Sequence, residues 1–256
     1  MKPVTGSVIV TFLLMLVACP GYGQAPAEEE KRLVALHREM TEAGRRGGDA
    51  TATGKAFRAL LRQVAASGWS LDYPFSELRS EPGVQVVTSP DGRLRLYSWD
   101  DETGGTMRYF CNLFQYRDHR GKVIVREALE NEPKAGYLYS ALFQLKGGAE
   151  PLYLARRHGT YSSKDAYEGV QALCITVKGL DGKVKAIRTN TGLRNGIGFS
   201  YNFFSVVDRS ERPVTLIGWD PKSMELTLPV VRGNGAVTNG KIRYRFDGRV
   251  LVRLDK

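Results

Sequence analysis

The chain has 256 residues, 42% of them hydrophobic, with 37 Lys and Arg against 27 Asp and Glu for a formal net charge of +10. A chain of this size buries roughly 70% of its unfolded surface, enough for a full core without other staples. Its positive charges are spread along the sequence rather than clustered, which argues against nucleic acid as a partner and for a soluble, mutually repelling surface that is drawn to anionic glycans or head groups.

Residues 1–19, MKPVTGSVIVTFLLMLVAC, pair an early cation, Lys2, with an apolar run over residues 8–18. That run is shorter than the ~20 residues needed to span a bilayer, and the pattern is that of an export signal, set aside from the fold. Leu16-Val17-Ala18-Cys19 reads as a lipobox in which Cys19 is the lipid attachment site. Ordinary cleavage before Gln24 or Glu28 is the open alternative. Both readings export the chain to the periplasm or anchor it there, with membrane contact only through the lipid. Export leaves Cys111 and Cys174 in an oxidising compartment, either bridged or as small buried thiols in strands; spacing does not decide between these.

Residues 20–27 read as a polar linker. Residues 28–43 place Leu33, Leu36 and Met40 on one helical face, with Glu28, Glu29 and Glu30 in the first turn, where the helix dipole favours anions. Gly44 is the expected stop. A second helix is predicted over 55–66, with Ala56, Phe57, Leu60, Leu61 and Val64 as its apolar stripe. The two form a helical hairpin, 28–68, with His37 beside its apolar face as a boundary residue.

Residues 69–256 form the β-rich domain. From residue 84 onward, runs rich in Val, Ile, Leu, Tyr and Phe alternate with turn signals at Asp91-Gly92, Gly121, Asp181-Gly182, Asn195-Gly196, Asn234-Gly235, Asn239-Gly240 and Asp247-Gly248. Hairpins are expected at 85–97, 175–188 and 242–254. In one strand Leu94, Leu96 and Ser98 point one way while Arg93, Arg95, Tyr97 and Trp99 point the other, a half-buried period of two. Ten to twelve strands with short links imply antiparallel neighbours. The expected fold is α+β, mainly β: the helical hairpin followed by a mostly antiparallel meander that closes as a sandwich or an open barrel.

The three histidines, His37, His119 and His158, show no metal-ligand spacing, and no metal or cofactor motif is present. No nucleophile elbow, P-loop or dinucleotide fingerprint appears. The segment RRHGTYSSKDAYEG, residues 156–169, brings His158, Ser162, Ser163 and Asp165 close in sequence. Neighbours so near rarely reach triad geometry, and the segment reads as a polar connection. The tip from Trp99 through Asp100, Asp101 and Glu102 to Thr106 places three carboxylates in a row, which need water, cations or a basic partner. It reads first as a solvated hairpin tip with a bulge. Phe199, Tyr201 and Phe203 share one strand face, which reads first as core and second as a platform for sugar rings. The candidate ligand contacts are therefore Trp99, Asp100, Asp101, Glu102, His158 and Tyr201, with no catalytic residue assigned.

Three segments, SPDGRLRLYSWDDETGGTM, NGIGFSYNFFSVVDRSERP and VTNGKIRYRFDG, resemble in the same order a family of uncharacterised exported proteins and lipoproteins of Gram-negative bacteria. The resemblance covers about residues 72–254. It implies one exported β-rich domain and carries no established activity. The functional expectation is a non-catalytic cell-envelope module that binds an acidic glycan or an envelope protein. The alternative is a hydrolase of an envelope polymer, which requires Asp100, Asp101 or Glu102 to face His158 or another carboxylate across a pocket.

Overall fold

The computed structural model describes residues 24–127, 134–147, 150–206 and 213–254. The expected export signal with Cys19, and the first residues of the expected linker, lie outside the described residues.

Helix α1 spans Gln24–Arg45 and helix α2 spans Thr51–Ala66. Their stripes of Leu33, Met40, Phe57, Leu61 and Val64 are buried. Each helix exceeds its expected bounds: α1 begins inside the segment read as linker, which moves the three glutamates beyond the first turn. Glu30 has a separate task. Its buried carboxylate accepts hydrogen bonds from the Tyr73 hydroxyl at 2.8 Å and from the Glu77 and Leu78 amides at 2.8 and 3.0 Å. Those amides open the short helix α3, Ser76–Arg79, whose N-cap Phe75 makes no side-chain cap bond. Helix starts leave amides without partners, and here a carboxylate from a different helix supplies the acceptor.

Strands β1 (Val84–Thr88), β2 (Leu94–Asp100), β3 (Phe110–Arg117) and β4 (Val123–Arg126) form an antiparallel meander, sheet I. Strands β5 (Leu138–Leu145), β6 (Leu152–Thr160) and β7 (Asp165–Thr176) follow, and β8 (Gly179–Asp181) folds back on the end of β7. The short pair β9 (Ile187–Thr189) and β10 (Gly192–Arg194) precedes β11 (Gly196–Asn202), which returns against β7 to complete sheet II in the order β11-β7-β6-β5. After a 3₁₀ turn, Phe203–Val206, come β12 (Gly218–Asp220), β13 (Glu225–Val231), β14 (Val237–Phe246) and β15 (Leu251–Arg253). Sheet III runs β10-β9-β15-β14-β13-β12, and its β15–β9 contact is parallel while the other described pairs are antiparallel.

The buried side chains sort these parts into a stack. Phe57, Leu61 and Val64 of α2 meet Val84, Val86, Tyr97, Trp99 and Leu113 on one face of sheet I. Leu94, Leu96 and Phe114 on its other face meet Tyr139, Tyr153 and Leu173 of sheet II. Leu154, Val170 and Ala172 on the far face of sheet II meet Leu226, Tyr244 and Leu251 of sheet III. The order is helices, sheet I, sheet II, sheet III: a mainly β, sandwich-like α+β fold with no closed barrel.

This layering corrects the reading of β2. Its alternation is real, but every residue of the strand is buried, because the helices cover the face that carries Arg95, Tyr97 and Trp99. Arg95 survives there by donating to Thr88 Oγ1 at 2.7 Å and to the Ser70 and Tyr73 carbonyls at 2.7 and 2.6 Å. Gln115 donates to the Ala65 carbonyl at 2.8 Å and accepts from the Tyr97 hydroxyl at 2.9 Å. These bonds satisfy the buried polar groups and fasten the end of α2 to sheet I.

The β1–β2 and β14–β15 hairpins form at their Asp-Gly turns. The β7–β8 turn instead lies between Thr176 and Gly179, ahead of Asp181, and Asn239-Gly240 falls inside β14. Cys111 and Cys174 are free thiols. Cys111 packs toward the helices from sheet I, while Cys174 lies in sheet II and donates to Glu150 Oε2 at 3.4 Å; the two belong to separate layers, and the bridge is not formed.

Candidate functional site

The C-terminal end of β2, the start of β3, the end of β6, the start of β7 and the end of β11 all open on one end of the stack, where they enclose a cavity of about 540 Å³. Its polar side is the β2–β3 tip. Asp100, 7% exposed, accepts the Glu102 amide on Oδ1 at 3.0 Å. Arg108 Nη1 lies 3.2 Å from Asp100 Oδ2 and 3.4 Å from Glu102 Oε2, so one guanidinium clamps both carboxylates. The Arg108 amide donates to the Thr160 carbonyl at 3.0 Å, which ties the tip to the end of β6.

Two glycines make this arrangement possible. A Cβ at Gly104 would stand 2.1 Å from the Met107 carbonyl oxygen, and one at Gly44 would stand 2.7 Å from Glu102 Cβ. Gly44 therefore lies within α1, where it lets the tip rest against the helix, and it does not end the helix. Glu102 itself takes a left-handed backbone, φ 58, an uncommon conformation for a non-glycine residue that is held here by its neighbours.

Burial raises the pKa of the Asp100 carboxyl, against the pull of the Glu102 amide and Arg108. Burial first, and then Asp100, raise that of Glu102. Both groups hold a proton to higher pH than an exposed carboxylate. The Arg45 and Arg108 guanidiniums on the cavity wall balance the two carboxylates. The excess positive charge of the chain lies elsewhere, in part on Arg188, Lys241, Arg243 and Arg245, exposed on sheet III.

His158, 2% exposed, lines the same cavity from β6. Its Nε2 lies 2.7 Å from Ser140 Oγ, which also accepts from Arg156 Nε at 2.9 Å. The arginine can only donate, and the direction of the Ser140–His158 bond is set by which ring nitrogen carries the proton. Burial, reinforced by Arg156, pushes the His158 pKa down to about 3, which keeps the ring neutral in ordinary buffers. The sequence neighbours do not join it: Ser162 donates to Asp165 at 2.9 Å and accepts the Lys164 and Asp165 amides, closing a local turn. The nearest hydroxyl partner comes from β5, eighteen residues away.

The apolar side holds Phe110, Leu138, Tyr167, Tyr201, Phe203 and Val214. Tyr201 is 4% exposed and packs with Phe203, Val206 and Val214. Phe199 and Tyr201 tilt at 52°, Phe203 has left the strand for the 3₁₀ turn, and only Tyr201 and Phe203 of the three line the cavity, so they do not form the flat platform that their alternation suggested.

Asp100, Glu102, His158 and Tyr201 thus share one cavity. Trp99 does not: it is 1% exposed, on the helix side of β2, edge-on to Phe57 at 5.3 Å. Asp101 turns to its own loop, where it accepts from the Thr103 amide and hydroxyl at 2.9 and 2.6 Å. Strand alternation turns Trp99 to the face opposite Asp100, while Asp101 lies beyond β2 and is held by its own turn. Arg108, Arg45, Thr41 and Ser140 were missed; only Arg108, a cation on the same hairpin as the acidic run, left a signal in the sequence. Among the described residues no group of three or more His, Cys, Asp or Glu side chains is placed to hold a metal ion. No protein-family model, curated protein or solved structure matches the chain.

Proposed function

We propose that this protein is a non-catalytic binding module of the bacterial cell envelope, exported by its N-terminal leader, whose end cavity takes a hydroxyl-rich glycan. The observation that supports it is the joining, in one cavity, of a clamped carboxylate pair, a neutral histidine and the aromatic side chains of Phe110, Tyr167, Tyr201 and Phe203. Sugars present apolar ring faces to aromatic side chains and hydroxyls to carboxylates and guanidiniums. The balanced charge of the cavity suits a neutral glycan better than the acidic one suggested by net charge.

Co-sedimentation with purified bacterial sacculi tests the reading. The wild-type chain is expected to pellet with them, and the Asp100→Asn/Glu102→Gln double variant to stay in solution. A wild-type chain that stays in solution, or a double variant that pellets equally, contradicts the proposal. In cell fractionation, use of the lipobox predicts that Cys19→Ala moves the protein from the membrane to the soluble fraction.

A hydrolase is the second reading, and the two proton-retaining carboxylates in one cavity favour it. Glycoside hydrolysis places its carboxyl groups on opposite sides of the scissile bond, whereas Asp100 and Glu102 sit side by side on one arginine. The neutral, hydrogen-bonded His158 is a poor proton donor. Release of reducing ends from the sacculi, abolished by Asp100→Asn, would favour hydrolysis over binding alone.

A further inference from the structure

The cavity continues beyond Arg45. A second hollow of about 450 Å³ lies along α1 and includes His37, Arg38 and Glu81; it shares Thr41, Arg45 and Pro82 with the cavity. The two spaces adjoin at these three residues and are taken together as one groove.

Among the described residues, four buried side-chain polar atoms lack a hydrogen-bond partner: His37 Nδ1, Thr41 Oγ1, Arg157 Nε and His158 Nδ1. The residues of three of them line this groove. Arg157 is accounted for otherwise, since its guanidinium stacks 4.2 Å from the Tyr137 ring and donates to Gln171 at 2.7 Å. The nearest carboxylate oxygen to His37, Glu81 Oε2, is 3.9 Å away, beyond hydrogen-bond length. An unpaired buried polar group is costly to the fold and calls for an explanation. Three of these residues stand along the two spaces, with Thr41 at the junction.

The path alternates in charge. Asp100, Glu102 and Arg108 stand at the cavity end, and the Arg38–Glu81 pair, 2.6 Å, at the other. Both spaces hold carboxylates and guanidiniums together, with Glu39, Glu42 and Arg45 also lining the hollow. Hydroxyl groups both donate and accept, so a chain of sugar units meets donors and acceptors in turn along its whole length.

We propose that the groove binds an extended, neutral oligosaccharide, with one unit in the aromatic cavity and further units running past Thr41 into the His37 hollow. This rests on the glycan reading of the cavity and adds the chain length of the ligand. Ordered water in the hollow would satisfy the same atoms without any ligand, and the experiment separates the two.

The probe is the β-1,4-linked N-acetylglucosamine series, from monomer through dimer and tetramer to hexamer, titrated calorimetrically into the mature chain. Affinity is expected to rise about tenfold from dimer to hexamer, equivalent to about 1.4 kcal/mol. His37→Phe keeps the ring packed on Phe57, 5.6 Å away, while removing Nδ1. It is expected to keep or raise stability to urea, because an unpaired buried polar atom is removed, to leave the chain able to bind the dimer, and to bring the hexamer down to the affinity of the dimer. A wild-type series with equal dimer and hexamer affinity overturns the extended groove while keeping the glycan reading, and this arm needs no variant. A hexamer gain that survives His37→Phe assigns the hollow to water and also overturns it. Binding to no member of the series overturns the glycan reading as well.

Discussion

His158 shows how one buried ring ties the site to stability. Its folded pKa, about 3, lies below the ordinary value of 6.5, so the unfolded chain takes up a proton that the folded chain refuses. Stability from this residue is complete above pH 6.5 and falls as the solution is acidified towards pH 3. Between pH 7 and pH 5 the loss is about 2 kcal/mol. Asp100 and Glu102 act in the opposite sense, because their raised values favour proton uptake by the folded chain. A His158→Gln variant retains those two and loses only the histidine effect. Urea unfolding at the two pH values is expected to show the wild type losing about 2 kcal/mol more than the variant; equal losses would contradict the burial argument. Lone histidines read from sequence as boundary or loop residues. Here the reading of His37 and His158 missed their burial, since the layers that enclose them come from distant parts of the chain.

At the scale of elements, the β2–β3 tip is the piece on which the site turns. Gly104→Ala sets a side chain against the Met107 carbonyl, which has no room to yield without moving the loop. The expected result is a loss of glycan binding of about tenfold or more, equivalent to 1.4 kcal/mol, with the far-ultraviolet circular dichroism of the sheets preserved. Unchanged affinity would remove the tip from the binding surface. Much of this element was legible: its carboxylates, its glycines and the alternation of β2 all stand in the sequence. Its partners were not, because Arg45 and Thr41 belong to a helix some sixty residues earlier. Strands of three residues, such as β8, β9, β10, β12 and β15, are too short to show a period of two, which is why the strand count was underestimated. Asn239-Gly240 marks a bulge and not a turn: the pairing to β13 shifts register between Pro229↔Lys241 and Val231↔Val237, and the strand carries on past it.

For the whole molecule, the helices are a structural layer and not an appendage. Without residues 1–66, Val86, Tyr97, Trp99 and Leu113 would face water, and Gln115 would lose its Ala65 acceptor. Such a truncated chain is expected to be insoluble or to bind hydrophobic dye, as an exposed apolar sheet face does. A soluble truncation with native-like near-ultraviolet circular dichroism would show that the three sheets stand alone. The fold class was readable from pattern alone, but the stacking order was not, since alternation says which residues share a face and nothing about which layer lies against it.

The groove draws its walls from α1, from the β2–β3 tip of sheet I and from β6 and β11 of sheet II. Any guest held there acts as a rivet through three strata that side-chain packing, hydrogen bonds and ion pairs such as Arg58–Glu127 also join. Saturation therefore tightens the registry of the entire pile, and heat resistance climbs with the logarithm of guest concentration.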